Sequence, residues 1–556
     1  MTRAPHLSAA LDAYLDWYYA TYPVNATFIG MHDHDDRLPD LSPAGVAEGV
    51  AGLEALRGRL QLLPSEPMTA SERLDRLLVE GALDIQAWEL TSRDFYLANP
   101  SLHTGEAIFG VIALLLRPFA PLERRLKAAT ARMRAIPEFL AQARANVHHT
   151  PRAWAERARR ECRGAIALLE RGLGEFLAEN DIRPAEHQSA AAAAAQAFRD
   201  FDAHLSSLPE GEAGEAACGS NALDLLVRRG HFLPMDAAGV LALGQHHLTL
   251  AEEELHERAA SLGITDWRDG LARLQDVHPA LEGYYARYTE VWEAARAAAQ
   301  AHGLVTWPEY PIRFVPQPLW AREAAPDLYF LFYRAPAAFD RLPVVEYLVT
   351  AIEPDMPSEE QRRRLRATNE SVIKLNHVVH HGSLGHHVQN WYAYHRAGSR
   401  LGRIAAVDCA SRIALFAGGT MAEGWACYAT DLIEEIGFLT PLEQLAHSHS
   451  RLRMAARAVA DVNLHSGAWT LEETAAFYRD RAGLAAEAAR AEAVKNSMHP
   501  GTALMYLCGT TQIHDLRREM QRRPGFDLRY FHDRLLSYGS IPVALIAAEM
   551  QARGPS

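Results

Sequence analysis

Apolar residues recur at every third or fourth position through most of this chain, and that spacing commits it to amphipathic helices. In "PLERRLKAATARMRAIPEFLAQARANV", Leu122, Leu126, Ala129, Met133, Ile136 and Leu140 form one stripe, with Pro137 placed to kink it. The run "AEHQSAAAAAAQAFRDFDAHL" has the small, unbranched side chains that favour helix. Thr470 followed by Glu473 is a capping box, so a helix should start there. Two short stretches break the pattern: "YPIRFVP" (Tyr310 to Pro316) and "DLYFLFYRAP" (Asp327 to Pro336). Both are rich in β-branched or aromatic residues and bounded by prolines, which predicts a small antiparallel sheet. The expected fold is mainly α, a large helical bundle around a deep cleft with that sheet on its rim.

A chain of 556 residues exceeds one small core, so two subdomains are expected. Residues 1–205 form a helical one. Residues 221–556 form the other, with the sheet at about 310–336 and a histidine-rich helix at 376–395, and both share one cleft. The polar run "SSLPEGEAGEAACGSNALD" is the link. A net charge of −13 argues against nucleic acid and anionic membrane surfaces as partners. Asp12 and Asp16 interrupt the apolar core a secretory signal would need, and no long apolar run could span a bilayer, so a cytoplasmic location is expected. Cys162, Cys218, Cys409, Cys427 and Cys508 form no CxxC pair and read as reduced thiols.

The chemistry concentrates in "NHVVHHGSLGHHVQNWYAYH", Asn376 to His395. Zinc hydrolases often use HExxH, because residues four apart on a helix share a face and two imidazoles can then hold one metal while the Glu deprotonates water. That motif is absent: Leu384 lies four after His380, and Val378 follows His377. In an unbroken helix His380 and His387 would share a face, but Gly382 and Gly385 oppose a regular helix. A local bulge would bring His380 and His386 together. The bland reading is a set of solvated or core histidines. Downstream, "MAEGWACYATDLIEEIG" places Trp425, Tyr428, Leu432 and Ile433 as on a buried helix, where Glu423 would need a partner. His377 and His395 read as bystanders or supporting donors. "HDHDD" at His32 to Asp36 reads as a polar loop, and His148, His149, His246 and His247 receive no role.

"HHGSLGHHVQ" (His380 to Gln389) and "EGWACY" (Glu423 to Tyr428) resemble the HEAxPGHHLQ and EGWALY motifs of the bacterial domain-of-unknown-function family 885. "RAVADVNLHSGAW" from Arg457, "PGTALMYLCG" from Pro500, "FHDRLLSYGSIP" from Phe531 and "YPVNATFIGMHDHDDRLPDLSP" near the start extend the resemblance over essentially the whole chain. The family in turn resembles helical HExxH-type metallopeptidases of the carboxypeptidase Taq kind. The resemblance implies His380 and His386 as metal ligands, His387 as the rival for the second place, and Glu423 as the third, leaving a position open for water on zinc or another divalent transition metal.

Three residues depart from the pattern. His381 stands where the family has its catalytic Glu, Thr430 where a second Glu is usual, and Leu384 where the loop has proline. His381 can accept a proton at neutral pH or become a further ligand. Tyr506 is the candidate to stabilise an oxyanion, against a core-packing alternative. Asp461 is the candidate to orient a ligand and His465 to bind substrate, with a buried hydrogen-bond network as the alternative. Arg457 is the candidate to pair with a substrate carboxylate. The expected function is a metal-dependent hydrolase acting on a peptide or small acyl substrate. An ester or thioester hydrolase and a non-catalytic ligand-binding relative are the alternatives.

Overall fold

Caps written in the sequence start the helices. Thr69 with Glu72, Thr440 with Glu443 and Thr470 with Glu473 each form a reciprocal capping box, satisfying backbone N–H groups that the first turn leaves open. The computed structural model describes residues 4–64, 67–183, 185–209, 216–328, 337–340, 342–404, 408–409, 412–413 and 418–552, and it is mainly helical. Leu122–Asn146 continues as one helix through Pro137.

The sheet differs from the expectation. Strand β1 (Ile312–Pro316) forms where "YPIRFVP" predicts it, but its partner β2 is Val345–Val349 and the pair is parallel, with Ile312 opposite Val345 and Pro316 opposite Val349. A parallel pair needs a long crossover, here carrying the short helices Leu319–Arg322 and Ala325–Leu328. Asp327 and Leu328 thus lie in a helix, and the remainder of the second expected strand, 329–336, lies outside the described residues. β2 is buried at four of its five positions, as expected of a strand covered by other elements.

Two apolar cores organise the helices. The larger runs from Tyr14 and Leu83 through Ile108 and Met133 to Trp425, Leu535 and Ile546, near opposite ends of the chain. The second gathers Trp154, Val240, Leu255, Leu452, Tyr478 and Cys508. One helix, Gly419–Glu435, serves both: Trp425 and Tyr428 pack in the first core and Cys427 in the second. Among the described residues, no helix is long and apolar enough to cross a membrane.

Buried histidines fasten segments distant in sequence. A carbonyl can only accept, so each imidazole facing one is an N–H donor. His103 Nε2 donates to the Leu97 carbonyl at 2.9 Å, His231 Nε2 to Gly501 at 2.7 Å, His465 Nε2 to Asn496 at 3.0 Å and His532 Nδ1 to Leu304 at 2.6 Å. Burial pushes the first three from 6.5 down to about 4 and His532 to about 3. They are neutral in the fold, and in the unfolded chain they charge at ordinary values. Asp75 and Asp461 oppose this trend, because burial raises both carboxyls, Asp461 to about 7.

Between pH 6.5 and 4 the unfolded chain therefore binds more protons, the four histidines outweighing the two carboxyls. The stabilisation is complete above pH 6.5 and lost as pH falls toward 4, by about 1.4 kcal/mol per net proton and pH unit. The midpoint of thermal unfolding should fall steeply over that window in a pH series. A flat profile would show that these imidazoles are already charged in the folded state.

Candidate metal centre

The histidine stretch is a π-helix, Val372–Gly382, followed by a turn and a second helix, His386–Arg396. Its wide i→i+5 turns end at a bend that only glycine can make. Gly385 N–H donates to the Val379 carbonyl at 2.9 Å, and a Cβ on Gly385 would overlap the His380 carbonyl oxygen. Two indoles fix this bend. Trp292 Nε1 donates to the Gly382 carbonyl at 2.8 Å and Trp425 Nε1 to the Leu384 carbonyl at 2.8 Å. His386 is thereby folded back onto the turn that carries His380 and His381.

Facing them is Glu423, buried on the Gly419–Glu435 helix. Gly424 beside it touches Gly509 of the helix Met505–Gln521, and a side chain on either glycine would collide with the opposing backbone. That close approach holds Glu423 in place. Its Oε2 lies 3.2 Å from His380 Nε2 and 3.7 Å from His386 Nε2. The His380 and His386 rings are perpendicular with centroids 4.8 Å apart, and the His381 ring lies 4.7 Å from one and 5.3 Å from the other. One nitrogen from each of His380, His381 and His386 falls within 4.8 Å of the others, the single such His/Cys/Asp/Glu group of three among the described residues. His381 Nδ1 donates to the Asn376 carbonyl at 2.7 Å, which leaves Nε2 with the lone pair.

The protonation states suit a cation. Burial lowers the pKa of His380 and, more strongly, of His381, where the two neighbouring imidazoles push the same way. Burial opposes charge on Glu423, but His386 and His380 overcome it and hold the carboxyl well below the usual range. The lowered pKa values of His380 and His381 favour the lone-pair forms a borderline divalent metal requires, and the ionised, buried carboxylate of Glu423 calls for a positive charge.

A family model described as "Bacterial protein of unknown function (DUF885)" matches residues 23–550. The chain belongs to this family. Two solved structures share its fold. A candidate lipoprotein of unknown function from Shewanella oneidensis is 22% identical, with a TM-score of 0.76 over 98% of this chain and 99% of that one. A candidate lipoprotein from Colwellia psychrerythraea is 17% identical, with a TM-score of 0.80 over the same shares. At such identities the likeness concerns the fold alone. No match was found among curated proteins.

Against the family motif, the structure separates the two histidines that the sequence left as rivals. His386 faces Glu423, whereas His387 donates Nε2 to the Tyr310 carbonyl at 2.7 Å and stacks on the Tyr310 ring, so it points toward β1 and away from the cluster. His465, expected at the substrate, is fully buried, donating to Asn496 and accepting from the Cys218 N–H at 3.3 Å. Asp461 accepts the Gly501 and Leu504 N–H groups at 3.1 and 3.0 Å, fixing the turn that precedes the Tyr506 helix, and lies 3.6 Å from His465 Nε2. Arg457 pairs with Glu492 at 2.6 Å and sets its guanidinium 4.7 Å over the Tyr506 ring. Thr430 spends its hydroxyl on the Cys427 carbonyl of its own helix.

The polar loop reading of "HDHDD" fits what is seen. His32 bridges Asp35 at 2.9 Å and Asp340 at 2.8 Å and stacks on Phe119. Burial alone would lower its pKa, but the carboxylates of Asp340 and Asp35 raise it to about 9, so it is an imidazolium cross-link. Trp292 went unnoticed in the sequence because "EVWEAARAA" carries no motif. His377, its Nδ1 2.6 Å from the Tyr347 hydroxyl, links the π-helix to β2.

Replacing Gly385 by alanine should force the bend open. We expect a loss of about 2 kcal/mol or more in denaturant unfolding, as for overpacked interiors, together with weaker zinc binding. Unchanged zinc affinity in a Gly385→Ala protein would mean that the bend does not set the histidine geometry.

Proposed function

We propose that this protein is a metal-dependent hydrolase acting at a carbonyl group, its metal held by His380, His386 and Glu423 with His381 Nε2 as a further donor. The observation that carries the reading is the clustering of three imidazoles at a broken helix, two of which, His380 and His386, face the buried carboxylate of Glu423. A divalent transition metal such as zinc, when bound, supplies Lewis acidity toward a carbonyl oxygen and makes water more acidic.

The chain's own residues do the rest. Glu423 provides the compensating negative charge, and Cys427 Sγ, 4.0 Å from His380 Nδ1, stands behind the ring. Tyr506, partly exposed and held under the Arg457 guanidinium, is the candidate donor to an oxyanion. His381 in place of the family's Glu favours a second substrate class beside peptides. Activated esters and thioesters have good leaving groups and need less help from a carboxylate base.

Purified protein should carry about one equivalent of zinc or a similar metal by elemental mass spectrometry, and Glu423→Ala should lose it. His381→Ala should lower occupancy as well as turnover of acyl ester and peptide panels. Full occupancy with lost turnover would make His381 a base instead of a ligand. A parent that takes up no metal, even with zinc added, would sink the proposal.

A further inference from the structure

From Leu452 to Val462 the helix Pro441–His465 is buried on every side except at two positions one turn apart, Arg453 and Arg457. Both therefore reach the same water-facing wall. Arg457 is occupied, by Glu492 and the Tyr506 ring, and Tyr506 lies in the first turn of the helix whose Gly509 packs against Gly424 beside Glu423, which places this wall on the side of the metal centre.

Arg453 is different. It lies close enough to Arg457, Glu492, Tyr478 and Tyr506 to sense their charges, and burial and Arg457 both lower its pKa. Yet it makes no hydrogen bond or ion pair among the described residues, and no carboxylate oxygen comes within ion-pair distance of it. A guanidinium partly withdrawn from water and left without an acceptor is costly, and it sits next to one that is satisfied. Arg453, Arg457 and Lys495 all act on the single carboxylate of Glu492, so the wall carries an excess of positive charge.

We propose that Arg453 binds a carboxylate of the molecule that enters the cleft, as a two-pronged guanidinium–carboxylate pair. The planar fork of the guanidinium matches a carboxylate, and the excess positive charge favours an anion. This assignment rests on the reading of the adjoining histidines as the reaction site. It makes the substrate an acid, such as a peptide with a free carboxyl terminus, where the sequence pointed to Arg457 for that task.

The test uses zinc-loaded full-length protein and N-acetyl dipeptides bearing each of the twenty residues at the end, as free acids and as carboxamides. Binding is read by native mass spectrometry, with product masses and metal content followed in the same samples. Acids should bind at least about ten-fold better than amides. Arg453→Ala should erase that preference, and Arg453→Lys should recover part of it.

Equal binding of acids and amides by the parent, or an acid preference that survives in a folded Arg453→Ala protein, would overturn the proposal. So would displacement of the acids by inorganic phosphate at lower concentration than by acetate, since the occupant would then be a phosphate group. Should the variants fail to fold, phenylglyoxal labelling of the parent decides: Arg453 should be shielded by the acids and not by the amides, and equal labelling under both refutes the pairing. An Arg453-dependent acid preference without metal or turnover would sink the hydrolase reading and leave this one standing. Metal-dependent cleavage of amides and acids alike would do the reverse.

Discussion

Everything at the centre of this molecule depends on one bend, from Gly382 to Gly385, held by two indole N–H groups. A continuous helix would spread His380, His381 and His386 around its circumference. The π-helical turn and the break after it gather them on one side, at the cost of buried carbonyls at Gly382 and Leu384 that lack a helical partner. Trp292 and Trp425 accept that cost by donating to those two carbonyls. Trp425 lies two residues from Glu423, so the helix that supplies the carboxylate also fixes the bend that supplies the imidazoles. Its glycine contact with Gly509 and its position between both cores make this helix the least movable part of the fold.

The chain uses histidine in two chemically distinct ways, and hydrogen bonding separates them. His103, His231, His387, His465 and His532 each give a ring N–H to a backbone carbonyl and act as neutral cross-links. His380 and His386 instead aim Nε2 at a carboxylate oxygen, and His381 donates Nδ1 locally so that Nε2 is left as a lone-pair donor. Burial lowers the pKa of the cross-links and of His380 and His381 alike. What differs is whether the facing atom can accept a proton only, or can share a cation.

Much of this was legible beforehand. Helical spacing gave the fold class, a proline-bounded run marked β1, and the order of two motifs pointed to His380, His386 and Glu423 as neighbours. The failures share a cause: they turn on direction, which residue type does not encode. His386 and His387 are adjacent and identical, and only the angle of the bend decides which one faces Glu423. His465 lies in a promising motif, but its helix face is sealed by Asn496 and Cys218. Arg457 and Arg453 are one turn apart, and only the position of Glu492 tells which is already paired. β2 was missed because "VEYLV", buried in its fold context, resembles any short apolar run, and parallel pairing joins segments that no local turn signal links.

The exchange of a carboxylate for His381 also changes the charge of the site. With a glutamate at that position, two carboxylates would balance a divalent cation; with Glu423 alone, a bound dication leaves one positive charge. Arg453, Arg457 and Lys495 around Glu492 add further positive charge on the neighbouring wall. A chain whose net charge is −13 thus gathers positive side chains on this one wall. In a low-dielectric setting that contrast draws anions inward and repels cations. The substitution that weakens the case for a glutamate-assisted peptidase therefore strengthens the case for an acidic substrate, because the same exchange removes a base and removes a negative charge.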